Sequence, residues 1–319
     1  MERMGEPRAS ADRPPLVGPR LRPGDRVRVV SPASTPDREE VALGVELLRS
    51  WGLVVELGEH VFDQLGHYLA GTDEDRLADL NDAFRDPGVR AVLTTRGGKG
   101  SYRVANAIDF DAVRRDPKPL VGFSDITFLH QALYHNCRLA TLHGPHIGWS
   151  EKYMGPFPGD SLRRAMMTAE PVTLRQRPGE ASAPLTTGGR ATGRLLGGNL
   201  RGVGQSIGWG PSYDGAVLAL EAIDLMPGEI DGTLTQLLNS GVLEGVHGVA
   251  VGQFVRSAAP APGKWSFLDI LSDRLGTLGV PVLGGLPFGH GPVACTVPLG
   301  TIAARDAGTR TLTVDPAVC

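Results

Sequence analysis

The sequence predicts a parallel α/β protein. Three observations carry that reading. Short β-branched runs alternate with helically spaced apolar residues, glycine-rich turns stand between them, and the alternation resumes after an aperiodic stretch over residues 170–192. Arg26-Val27-Arg28-Val29-Val30 reads as the first strand and stops at Ser31-Pro32-Ala33-Ser34. Thr35-Pro36-Asp37 then supplies cap and first-turn signals for a helix whose apolar face is Val41, Leu43, Leu47 and Leu48, closed by Gly52. Leu53 to Leu57 is the next strand, and Leu77, Leu80 and Phe84 mark a helix from about Asp73. Val89 to Thr95 reads as a buried strand running into Arg96-Gly97-Gly98-Lys99-Gly100. A further apolar run ends in Gly122-Phe123-Ser124-Asp125, where a helical pattern begins at once with Ile126 and continues to Leu133. A second unit starts near Gly193. It has strands over Ala216 to Leu220 and Val246 to Phe254, a helix from about Gly232 to Leu238, an apolar pair Val282-Leu283, and a closing strand at Thr311 to Val314.

The chain has 319 residues, a length that suits about two domains. At 41% hydrophobic and 21% charged residues, a sizeable core is possible and wholesale disorder is not expected. A net charge of −3 and no long basic run argue against a nucleic-acid partner. No stretch has the apolar length of a membrane span. Cys137, Cys295 and Cys319 are far apart and odd in number, which points to a reducing compartment and a cytoplasmic protein. Met1 to Arg20 is rich in Pro, Arg and Glu without an apolar core, so it reads as a flexible extension and not a secretory signal.

Ser124 is the most informative residue. A serine on a sharp strand-to-helix turn exposes its hydroxyl beside the N–H groups of the new helix, which suits a nucleophile whose oxyanion must be held. The competing reading is that Ser124 or Asp125 caps the helix. The glycine loop at 96–100 is neither a P-loop, which would need glycine where Leu93 stands, nor a dinucleotide fingerprint, which would need one where Arg103 stands. Its N–H groups can line an anion or oxyanion site, or the loop is a plain tight turn. His130, His135, His143 and His146 do not have a metal-site spacing, and His130 reads as structural. Glu221 at the end of a buried strand and His290 between Gly289 and Gly291 occupy positions that would suit an orienter and a base.

These strings resemble the LD-carboxypeptidases of serine peptidase family S66, which also holds microcin C immunity peptidases. The resemblance runs from Leu21 to about Asp306. It rests on Arg96 to Gly100, Asp109-Phe110, Pro117 to Thr127, His143-Gly144-Pro145, Leu196 to Leu200, Leu220-Glu221, Gly252-Gln253-Phe254 and Pro287 to His290. It implies a catalytic triad of Ser124, Glu221 and His290, and an oxyanion hole from the backbone of Gly98 and Asp125. It also implies a flavodoxin-like N-terminal domain joined to a smaller C-terminal α/β domain, with the active site in the cleft between them. The expected divisions are an extension over 1–20, a nucleophile domain over 21–165, a linker over 166–192 and a C-terminal domain over 193–319. Homodimers are implied, and neither a metal nor an organic cofactor. Gly97 and Lys99 are expected at the substrate. Many relatives carry an aromatic residue where Lys99 stands, and a cation there can meet a substrate carboxylate or simply be a solvated turn lysine. The expected substrate is a small murein-type peptide ending in a D-amino acid. A peptidyl-nucleotide is the alternative within the family, with Trp149, Tyr153 and Phe157 as stacking candidates, and a non-catalytic peptide-binding protein is the alternative outside it.

Overall fold

The computed structural model of the chain describes residues 14–148, 157–257 and 264–319. In the first half the elements are β1 (Arg26–Val30), α1 (Arg38–Ser50), β2 (Val54–Leu57), α2 (Asp73–Arg85), β3 (Val89–Thr94), α3 (Ser101–Val104), α4 (Phe110–Arg115), β4 (Leu120–Gly122), α5 (Thr127–Cys137), β5 (Thr141–His143) and α6 (Phe157–Met167). In the second half they are β6 (Val172–Arg175), β7 (Arg190–Asn199), α7 (Leu200–Gln205), β8 (Ala216–Ile223), α8 (Pro227–Asn239), β9 (Gly248–Val255), α9 (Phe267–Gly276), β10 (Val282–Leu283), β11 (Val297–Leu299), β12 (Ile302–Asp306) and β13 (Thr311–Val314).

The first sheet has the order β11-β5-β4-β3-β1-β2, and β1 to β5 are parallel. That is the flavodoxin-like order 2-1-3-4-5, in which ligands sit at the carboxyl ends of the strands beside the β1/β3 switch point. Its strands are apolar runs because both faces are covered. Val27, Val29, Leu93, Val121 and Leu142 pack with Leu48 of α1 and Leu162 and Met166 of α6. Val30, Val92 and Leu120 pack with Leu80 and Phe84 of α2 and Leu129 and Leu133 of α5. The cap of α1 is Asp37, whose carboxylate accepts from the N–H groups of Glu39 and Glu40. Helix α2 starts in a capping box between Thr72 and Asp75.

The second sheet has the order β10-β9-β8-β7-β12-β13-β6. Strands β7 to β10 are parallel and the rest pair antiparallel. Leu218, Leu220, Val249 and Val251 face Leu200, Ile230, Leu234, Ile270 and Leu271 of α7, α8 and α9.

Three features depart from the sequence expectations. Residues 166–192, expected as a linker, contain β6, which closes the edge of the second sheet. The last residues of the expected extension are bonded. Leu16 N donates to Arg138 O, Arg20 N to Cys319 O and Cys319 N to Gly18 O. Strand β11 lies within the expected C-terminal domain but pairs antiparallel with β5 of the first sheet. Local pattern names a strand without naming its partner, which explains why none of the three is visible in sequence.

Candidate active site

Strand β4 delivers the nucleophile candidate. After Phe123 in extended backbone, Ser124 takes φ 62° and opens a short 3-10 turn, Ser124–Ile126, that leads into α5. A left-handed serine is strained by about 1–3 kcal/mol, and such strain concentrates at functional sites. The capping alternative does not describe this turn. Neither Ser124 nor Asp125 caps α5; instead the Asp125 carboxylate accepts from Ser101 N at 2.8 Å, and its carbonyl accepts from Ser101 Oγ at 2.6 Å. Burial raises the Asp125 carboxyl above the usual carboxylate value, against the opposing pull of Ser101, Arg76 and Lys99.

The glycine loop after β3 is fastened against this turn. Ser34, at the end of the loop after β1, donates its N–H to Gly97 O at 3.2 Å, and its Oγ accepts from Lys99 N at 3.1 Å. Gly97 N donates to His146 Nε2 at 2.9 Å. A side chain at 97 would stand 3.0 Å from Ser124 Cβ and 3.2 Å from Asp125 N, so the close backbone approach to the serine leaves a side chain little room. Gly97 thus stands against the Ser124–Asp125 backbone, and Gly98, one of the two expected oxyanion donors, is next to it in the loop. Lys99 is exposed at its edge.

The other two expected residues come from the second sheet. Glu221 is fully buried in β8. Opposite it β9 carries two residues, Gly252 and Gln253, between pairs Leu220↔Val251 and Ala222↔Phe254, so the ladder bulges at the glutamate. One carboxylate oxygen, Oε2, lies 2.6 Å from His290 Nδ1, and the other accepts from Asn199 Nδ2 at 3.1 Å. Burial alone would push this carboxyl up, but His290, His143 and Asn199 together hold it below the ordinary value, so it stays ionised. The His290 loop is clamped by Gln253, whose N–H donates to Phe288 O at 2.9 Å and whose Oε1 accepts from Gly291 N at 2.8 Å. Gly289 has φ 119°, and a side chain there would meet Glu221 Oε2 at 2.9 Å. The His290 ring stands 4.6 Å from the ring of Phe123, the residue before Ser124. The two sheets therefore pair Glu221 with His290 and set the His290 ring against Phe123, the residue next to Ser124.

Gln253, Asn199 and His146 support the site without having been singled out for it by sequence. Asn199 and Gln253 lie inside strings that carry the family resemblance, which is the signal the sequence holds for them. The histidine group resolves into separate roles. His130 Nε2 bonds Gly122 O at 2.9 Å, and burial drives its imidazole down to about 3. His143, driven down to about 4 by burial, lines a small cavity with Phe123, Pro145, Gly289 and Cys295. Among the described residues the group able to offer three metal-ligand atoms lies elsewhere, at His60, Asp63 and Asp75. There the Asp63 carboxylate, 2.8 Å from His60 Nδ1, raises the imidazole above its ordinary value. Trp149 and Tyr153 lie outside the described residues, as does the side chain of Phe157. Among the described residues no helix is long and apolar enough to cross a membrane.

Comparison with known proteins gives the chain its family. Residues 27–144 match the LD-carboxypeptidase N-terminal domain and residues 192–304 the LD-carboxypeptidase C-terminal domain. The chain is 37% identical to the "Probable murein peptide carboxypeptidase" of Bacillus subtilis, over 93% of this chain and 94% of that one. It is 29% identical to the murein tetrapeptide carboxypeptidase of Pseudomonas aeruginosa, over 88% and 93%. The structure of muramoyltetrapeptide carboxypeptidase from Oxalobacter formigenes superposes with a TM-score of 0.79 at 25% identity, covering 91% of this chain and 98% of that one. The microcin C7 self-immunity protein MccF in complex with aspartyl sulfamoyl adenosine shares the fold, with a TM-score of 0.81 at 22% identity over 94% and 98%. From the glycine loop to the histidine turn, this chain belongs to the LD-carboxypeptidase family of hydrolases.

Proposed function

We propose that the protein is a serine-type LD-carboxypeptidase, with Ser124, His290 and Glu221 as its triad, that removes a C-terminal D-amino acid from a murein tetrapeptide. The observation that carries this reading is the 2.6 Å contact between His290 Nδ1 and a buried, ionised Glu221, set beside the Phe123–Ser124 turn. With Nδ1–H facing the carboxylate, Nε2 is left as the base. Ser124 Oγ attacks the carbonyl of the penultimate residue while His290 Nε2 takes its proton. The tetrahedral oxyanion is held by the N–H groups of Gly98 and Asp125. On collapse, His290 returns the proton to the departing D-amino acid's amine. A water, deprotonated by His290, then attacks the acyl ester and frees Ser124. Glu221 holds the imidazole in one tautomer and stabilises the imidazolium that forms twice per cycle. Lys99 is the proposed reader of the substrate's terminal carboxylate. The murein substrate follows the names of the relatives that match over nearly the whole chain.

The test incubates the protein with a murein tetrapeptide ending in D-alanine, its L-alanine epimer, and aspartyl sulfamoyl adenosine, with products read by mass spectrometry. Free D-alanine and a tripeptide are expected from the first alone, and Ser124→Ala should lower that rate by about 10⁴-fold or more. Cleavage of the nucleotide analogue in place of the tetrapeptide would move the activity to peptidyl-nucleotides. Binding without release by either form would leave a peptide-binding protein.

A further inference from the structure

Two hydrogen bonds fix two successive peptide planes of the glycine loop. The Arg96–Gly97 plane is set by Gly97 N, which donates to His146 Nε2 at 2.9 Å. The Gly97–Gly98 plane is set by Gly97 O, which accepts from Ser34 N at 3.2 Å. Because a peptide is planar and trans, pinning the Gly97 carbonyl on Ser34 turns the Gly98 N–H to the opposite side. His146 itself is placed tightly. Its Nδ1 lies 3.3 Å from Thr94 Oγ1, whose own proton goes to Val121 O at 3.0 Å. The threonine oxygen is therefore an acceptor toward the ring, the imidazole carries its proton on Nδ1, and Nε2 presents a lone pair to Gly97. Phe123 is stacked on the ring, with centroids 4.3 Å apart, and it also stands 4.6 Å from the ring of His290. One aromatic side chain thus spaces the candidate base from the imidazole that holds the glycine loop.

We infer that His146 is a positioning residue for catalysis: by accepting the Gly97 N–H it sets the loop so that Gly98, and not Gly97, presents its N–H to the oxyanion. This rests on the reading of Ser124 as nucleophile and Gly98 as donor. Sequence spacing discounts His146 as a metal ligand and gives it no other role. The bond requires an unprotonated Nε2, since a proton there would set two donors face to face. Burial holds the imidazole well below its ordinary value, and the groups bearing on the ring, His290, Arg96, His143 and His130, all basic, push in the same direction. The acceptor is therefore maintained at neutral pH. Its action falls on the transition state, because the oxyanion exists only there.

The test compares His146→Phe, which keeps an aromatic ring against Phe123, with His146→Gln, whose amide oxygen reaches about as far as Nε2. On the tetrapeptide, His146→Phe should lower kcat about 10- to 100-fold with KM within about 3-fold, and His146→Gln should recover most of the loss. Retained kcat in His146→Phe, equal losses in the two variants, or a loss carried by KM would each overturn the inference. A second measurement needs no variant. In ¹⁵N-labelled protein a coupling through the hydrogen bond between Gly97 N and His146 Nε2 is expected, and a protonated Nε2 would overturn the assignment even if His146→Phe fails to fold. If Ser124→Ala keeps its turnover, the nucleophile reading itself fails. If Ser124→Ala is inactive while His146→Phe keeps its kcat, only the role of His146 falls.

Discussion

On the first sheet, each bond that holds the Ser124 turn and the glycine loop has a main-chain group on at least one side: Ser34 N on Gly97 O, Gly97 N on His146 Nε2, and Ser101 on both the carbonyl and the carboxylate of Asp125. On the second sheet, Glu221 and His290 are held by side chains: the carboxylate by the imidazole and Asn199, and the histidine loop by Gln253. The first half shapes a cradle out of backbone dipoles, which carry no net charge and are steadied by a neutral imidazole. The second half stores a buried charge, which is kept only while its partners stay. The two halves should therefore fail differently, one by geometry and the other by charge.

The sharpest break is Glu221→Gln. It keeps the shape but removes the charge, so kcat on the tetrapeptide should fall by roughly 10⁴-fold while the protein stays folded. A fall under 10-fold would show that the charge side is not needed. Next comes acid. His130, His143 and His146 are buried neutral with values below the 6.5 of an ordinary histidine. The unfolded chain takes up their protons first as pH drops through 6.5, while the folded chain resists until about 4 and about 3 for His143 and His130. Stability is thus full above about pH 7 and declines below 6.5, by up to about 1.4 kcal/mol per pH unit for each histidine. Urea titrations at pH 7.0 and 5.5 check this, and His130→Phe should remove about one proton from the slope.

On the backbone side, Gly97→Ala brings a methyl to 3.0 Å from Ser124 Cβ and should cost on the order of 100-fold in kcat with little change in the melting temperature. The smallest effect is expected where the two halves are joined. Tyr213 Oη donates to Gln131 Oε1 at 3.1 Å, and Gln131 Nε2 donates to Gly197 O at 3.0 Å, linking α5 to β7. Tyr213→Phe should lower unfolding free energy by about 1 kcal/mol and leave kcat unchanged. A large loss of kcat there would mean that the joint takes part in setting the site.

Legibility in the sequence follows the same division. Strand β1, helix α2 and the turn at Ser124 are local patterns, and the structure has them where the spacing puts them. Glu221 and His290 are 69 residues apart and meet only through tertiary contact, so their pairing came from the resemblance and not from any pattern of charge. The bulge that turns Gln253 onto the histidine loop depends on the register of β8 against β9, which no single strand encodes. His146 stayed silent because a hydrogen bond to a glycine amide has no sequence signature.

Strand β11 follows the His290 turn directly and adds the edge of the first sheet, beside β5. During synthesis the nucleophile half therefore emerges with the β5 edge unpaired until residues 297–299, about 150 residues further along, can close it. An unpaired edge is a template for intermolecular pairing. A fragment cut anywhere between the two halves would carry that open edge permanently. The strand that closes it follows the turn that carries the histidine, so completing the first sheet and installing the base draw on one stretch of chain, residues 287–299.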